Sequence, residues 1–92
     1  MLSDRLYQLR TGKRMRQKTL ADAIGVDSAT YSRIEKGERR PKEDQLPTLA
    51  KFLDVEANEL LSLMVADKMA TAVGDASNEI ARMAIDILHR QI

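Results

Sequence analysis

Residues 17–36, QKTLADAIGVDSATYSRIEK, carry the reading from which the fold follows. Leu20, Ala21 and Ile24 make an apolar stripe at helical spacing, which predicts a helix of about two turns beginning near Gln17. Gly25 ends it, because a tight turn needs a backbone that reaches positive φ without Cβ strain. Asp27 then offers a carboxylate to the first free N–H groups of a second helix, whose buried stripe of Tyr31 and Ile34 runs to Gly37. Two short helices that cross steeply need a small residue at their contact, and Ala21 supplies it. The polar face of the second helix is thereby left pointing outward, the disposition a helix needs to enter a DNA major groove.

Working outward, the same 3.6-residue rhythm accounts for the rest of the chain. Upstream, Leu2, Leu6 and Leu9 predict a helix over about residues 3–13, with Ser3 as its cap and an end near Gly12. Downstream, Glu38-Arg39-Arg40-Pro41 is a polar breaker. Leu46, Leu49, Ala50 and Leu53 then predict a fourth helix, with Pro47 in its early turns where a missing N–H is tolerated. Val55 closes the next turn, and Leu60, Leu61 and Met64 predict a fifth helix running on towards Ala72, interrupted at Gly74. Asp75 or Ser77 would cap a last helix whose broad apolar face holds Ile80, Met83, Ala84, Ile87, Leu88 and Ile92. The sequence contains no strand pattern and no repeat.

Composition narrows the function classes. Ninety-two residues with 43% hydrophobic and 32% charged side chains suit one small globular domain plus at most one appended element. Tyr7, Tyr31 and Phe52 are the aromatics, so the core must be aliphatic. The absence of Cys rules out a disulfide framework and thiolate metal ligation. With neither a secretion signal nor a run of about 18 apolar residues, a cytoplasmic location and no membrane contact are expected. His89 stands alone, and there is no phosphate-cradling glycine loop or nucleophile–base pair, so neither an enzyme nor a cofactor is expected.

The net charge of +1 conceals a partition. Residues 1–42 hold eleven Lys/Arg against five Asp/Glu, whereas residues 43–92 hold four against nine. A basic first half and an acidic second half are what a double-stranded DNA face followed by a non-binding segment would produce. Lys13, Arg14, Arg16, Lys18, Lys36, Arg39, Arg40 and Lys42 are the cationic candidates. Gln17, Lys36, Arg39 and Arg40 are the preferred phosphate contacts because they flank the two ends of the paired helices, with Arg16 and Lys42 beside them.

The stretch LADAIGVDSATYSRIEKGERRP, residues 20–41, resembles the Cro/C1-type (XRE) helix-turn-helix family, and the likeness extends over residues 2–61. The resemblance implies an all-α, five-helix lambda-repressor-like DNA-binding domain over residues 1–66 and a C-terminal helical extension over residues 67–92. It implies transcriptional control, usually repression, by a homodimer on a two-fold operator. Residue by residue, it places Gln17 on a phosphate and Ser28, Ala29, Ser32 and Arg33 towards base edges. It pairs Arg10 with Glu35 in an internal ion pair. Two departures stand out: Arg16 replaces a common Ser or Thr cap, and Tyr31 replaces an aliphatic, which suggests a buried ring whose hydroxyl reaches an edge. The face of Ile80, Met83, Ala84, Ile87 and Leu88 reads equally as a dimer element or as a helix packed on its own core. The alternative function is an antitoxin or adaptor whose last helix grips a protein partner.

Overall fold

The computed structural model describes residues 1–74 and 77–91, and its regular elements are all helical. They are α1 (Leu2–Gly12), α2 (Gln17–Ala23), α3 (Ser28–Glu35), α4 (Leu46–Leu53), α5 (Ala57–Gly74) and α6 (Asn78–Gln91), with a short 3-10 turn at Glu43–Gln45 before α4. Residues 75, 76 and 92 lie outside the described residues, and with them the expectations for an Asp75 cap and for Ile92.

Each of the first five helices buries the stripe that its sequence displays. Leu2 and Leu6 of α1, Leu20 and Ala21 of α2, and Tyr31 and Ile34 of α3 meet Leu46, Leu49, Ala50 and Leu53 of α4 and Leu60 and Met64 of α5 in one core. Leu9, Ile24, Val26, Val55 and Leu61 line its margin. Burying an aliphatic side chain of this kind stabilises the fold by about 1.5–3 kcal/mol, so the core outweighs any single cap or ion pair. Pro47 sits at the start of α4, where no intrahelical donor is lost. Asp54 ends that helix in the left-handed conformation at φ 59°.

The start of α1 differs from expectation. Ser3 lies inside the helix and Met1 occupies the cap position without a side-chain bond. The cap is tertiary instead: Asp67 of α5 accepts from the Leu2 N–H at 3.0 Å and from the Met1 ammonium at 3.1 Å. Local pattern reading selects Ser3 because serine is a good cap; a carboxylate from 65 residues further along satisfies the same orphan donors.

α5 runs unbroken through residue 67, so the expected boundary between domain and extension falls inside a helix. α6 is capped by Ser77, whose Oγ accepts from the Ile80 N–H at 3.2 Å. Ala81 is its one buried residue among those described. The radius of gyration is 15.2 Å, against about 12 Å for a compact globule of this length. The long axis of 43 Å compared with 23 and 22 Å shows where the excess lies, since α6 contributes nothing to the twelve-residue core.

Candidate nucleic-acid interface

The turn between α2 and α3 is built from backbone geometry. Gly25 adopts φ +73°, and the Val26 N–H donates to the Ala21 carbonyl at 3.0 Å, which closes the turn over the small residue at the helix contact. Asp27 caps α3, its carboxylate accepting from the Thr30 N–H at 2.7 Å. That bond holds the Asp27 carboxyl below the usual aspartate range. At the other end, Gly37 takes φ +77° and the Glu38 N–H returns to the Arg33 carbonyl at 3.0 Å.

With Tyr31 and Ile34 buried, helical periodicity decides what faces out. Ser28, Ala29 and Arg33 are exposed and Ser32 is half-buried, so the four form one outward row on α3. Arg16, Lys36, Arg39, Arg40 and Lys42 are exposed at the two ends of the α2–α3 pair. Arg40 also reaches away from that face, donating from Nη2 to Thr71 Oγ1 of α5 at 3.0 Å. Arg16 has the extended backbone of a cap residue but no side-chain cap bond; its carbonyl accepts from the Thr19 N–H at 3.1 Å, which leaves the Gln17 and Lys18 N–H groups available.

A half-buried polar brace ties α3 to the rest of the molecule. Arg10 donates from Nε to Glu35 Oε2 at 2.7 Å and from Nη2 to Oε1 at 3.0 Å, and its Nη1 donates to the Met15 carbonyl at 2.8 Å. Gln17 joins from the start of α2, its Nε2 donating to Glu35 Oε1 at 3.2 Å. Burial opposes charge on Glu35, but the bonds from Arg10 and Gln17 outweigh it and hold the carboxyl below its ordinary range. Gln17 keeps a second amide hydrogen and its backbone N–H for an outside acceptor.

Tyr31 corrects one expectation. Its ring is buried as anticipated, but the hydroxyl does not reach an edge: Oη is enclosed and makes no hydrogen bond among the described residues. Burial, with the Glu35 carboxylate nearby, pushes its pKa far up. Sequence reasoning also missed Asp67 and Thr71, which act from α5 on α1 and on the loop after α3. Neither carries a local signal, because their partners are distant in sequence.

The helix-turn-helix family profile matches residues 6–60. The chain belongs to the Cro/C1-type helix-turn-helix family. The matched residues take in most of α1, all of α2, α3 and α4 and the first turn of α5, and α6 lies beyond them. Among similar proteins, the cryptic phage CTXphi transcriptional repressor RstR of Vibrio cholerae is 39% identical over 67% of the chain and 56% of its own length. The transcriptional activator BcrR of Enterococcus faecalis is 38% identical over 65% of the chain and 29% of its own length. The Bacillus subtilis regulator YqaE, itself uncharacterised, is 28% identical over the whole chain and 93% of its own length. The chain thus spans less than two thirds of the first two relatives. No solved structure matches it significantly. Among the described residues, no helix is long and apolar enough to cross a membrane, and no cluster of His, Cys, Asp and Glu could hold a metal ion.

Proposed function

We propose that this protein is a sequence-specific transcriptional regulator, a repressor, that binds a two-fold DNA operator as a dimer with α3 laid in the major groove. The observation that carries the reading is the outward row of Ser28, Ala29, Ser32 and Arg33 on a helix whose opposite face is locked into the core. Arg33 reads sequence, since a guanidinium donates twice to guanine O6 and N7 and discriminates by about 1–3 kcal/mol. Ser28 bonds a base edge less selectively, and Ala29 meets a thymine methyl. Gln17, Arg16, Lys36, Arg39, Arg40 and Lys42 hold phosphates on either side, with Arg10 placed behind Gln17. The name of the phage relative supports the repressor sense.

The test begins with selection of bound sequences from a random DNA pool, followed by titration of the selected site and a scrambled one across a range of salt. Arg33→Ala is expected to lose discrimination at one position of each half-site while keeping its salt dependence. Arg39→Ala is expected to weaken both DNAs alike and to lower the salt slope by about one. Equal losses on both DNAs for Arg33→Ala would remove the readout assignment. The second reading, an antitoxin or adaptor that grips another protein, is favoured by one observation, the uncovered apolar face of α6.

A further inference from the structure

The last helix presents a face too apolar to be left in water. Ile80 is 60% exposed, Met83 59%, Ile87 55% and Leu88 42%, with the small Ala84 between them. Single exposed hydrophobics are ordinary, but a contiguous stripe along a four-turn helix marks a surface that something covers. None of these side chains joins the core of the DNA-binding domain.

The charges beside the stripe identify what covers it. Glu79, Arg82, Asp86 and Arg90 are spaced by three, four and four residues, so they share one flank of α6, and all four are exposed. Read forwards, their signs run minus, plus, minus, plus; read backwards, plus, minus, plus, minus. When two copies of a helix pair antiparallel about a two-fold axis, each flank meets the same flank of the other copy in reverse order. Centred on Ala84, that arrangement sets Glu79 against the second copy's Arg90 and Arg82 against its Asp86, each pair occurring twice. It also sets Ile80 against the second copy's Ile87 and Leu88, with the two Ala84 residues allowing close approach. A parallel pair would instead oppose this charged flank to the flank of Ala81 and Ile85, which carries nothing to match it. The i, i+4 pair of Arg90 with Asp86, at 2.6 Å and exposed, leaves both groups within reach of a neighbour.

We infer that α6 is a self-recognition helix: two copies of this chain dock antiparallel through the Ile80–Leu88 stripe, and the alternating charges of Glu79, Arg82, Asp86 and Arg90 set the orientation. This adds a face and a direction to the dimer of the functional reading above. The contact falls at the low end of specific interfaces, below about 1,200 Å² in total. The dimer is therefore concentration-dependent in solution and completed when both domains seat on DNA.

The native chain has no cysteine, so the orientation can be read by engineered disulfides in the full-length protein without DNA. In the antiparallel pair the two copies of residue 80 lie about 12 Å apart along the axis, beyond the roughly 7 Å Cα separation that a disulfide spans. On mild oxidation, Ala84→Cys should crosslink with itself, Ile80→Cys should not, and an equimolar mixture of Ile80→Cys with Leu88→Cys should give the mixed disulfide. Sedimentation supplies the charge test: Glu79→Arg should weaken dimerisation about threefold to tenfold, and Glu79→Arg with Arg90→Glu should restore it. Efficient self-crosslinking of Ile80→Cys would overturn the orientation. A monomer at all concentrations, with no crosslink at residue 84, would overturn self-recognition and leave the stripe to a different protein. Because no DNA enters these measurements, the α6 inference can fail while the Arg33 readout stands, and the converse also holds.

Discussion

α4 and α6 carry the same apolar spacing and meet opposite fates. Leu46, Leu49, Ala50 and Leu53 of α4 recur at the same intervals as Ile80, Met83, Ala84 and Ile87 of α6, with alanine third in both. The first set is buried at the centre of the core; the second stands in solvent. An amphipathic stripe thus states that a helix face must be covered, and says nothing about whether the cover is the same chain. α4 packs against α2 and α5 and is enclosed by them, whereas α6 adds no residue to the core that they share.

The largest expected effect that would sharpen this contrast comes from matched truncations. Leu49→Ala should cost about 2–5 kcal/mol of folding stability, visible as a large drop in thermal midpoint. Ile87→Ala, measured at low concentration where the monomer dominates, should leave the midpoint nearly unchanged. A large loss from Ile87→Ala under those conditions would break the contrast by showing that α6 packs on its own domain.

The polar brace extends the comparison to ion pairs. Arg10–Glu35 is nearly enclosed, with 13% and 3% of the two side chains exposed, whereas Arg90–Asp86 of α6 is open to solvent. Arg10→Ala strands Glu35 and should destabilise by about 2–3 kcal/mol, while Arg90→Ala should have almost no effect on the monomer. Urea unfolding of the two variants measures the difference directly.

A pH titration probes the same brace. Glu35 has its folded-state pKa depressed below the ordinary value of 4.5, so its contribution is complete above that value and is lost as pH falls through the lower folded one. Asp27 and Asp67 are shifted in the same direction and add to the effect. The thermal midpoint should therefore hold steady from neutrality to about pH 5 and fall below it, less steeply in Glu35→Gln. A small effect is expected at the cap of α3: Asp27→Ala should lower the thermal midpoint slightly, with a parallel loss of DNA affinity as α3 frays at Ser28 and Ala29.

Much of the domain was legible because its signals are local. The turn glycine at 25, the cap at 27, the stripes of α1 to α5 and the outward row on α3 each follow from residues within one helix or one turn of each other. The Ser3 cap and the Tyr31 hydroxyl were misread for a common reason. Satisfying an orphan N–H or placing a phenol depends on what lies across the core: Asp67 is 65 residues from the Leu2 N–H it caps, and the Tyr31 hydroxyl is enclosed only once the helices have closed over it.

By itself, then, the order of residues determined the helical rhythm, the sharp α2–α3 turn, the family and the basic character of the first half, since each arises from neighbours one to four positions apart or from composition. Tertiary structure alone decided that Asp67 closes the start of α1, that Gln17 and Arg10 converge on Glu35, and that α6 is left uncovered. Those outcomes turn on which faces meet when the core closes, and a face can be recognised as apolar or charged long before the chain reveals what it will touch.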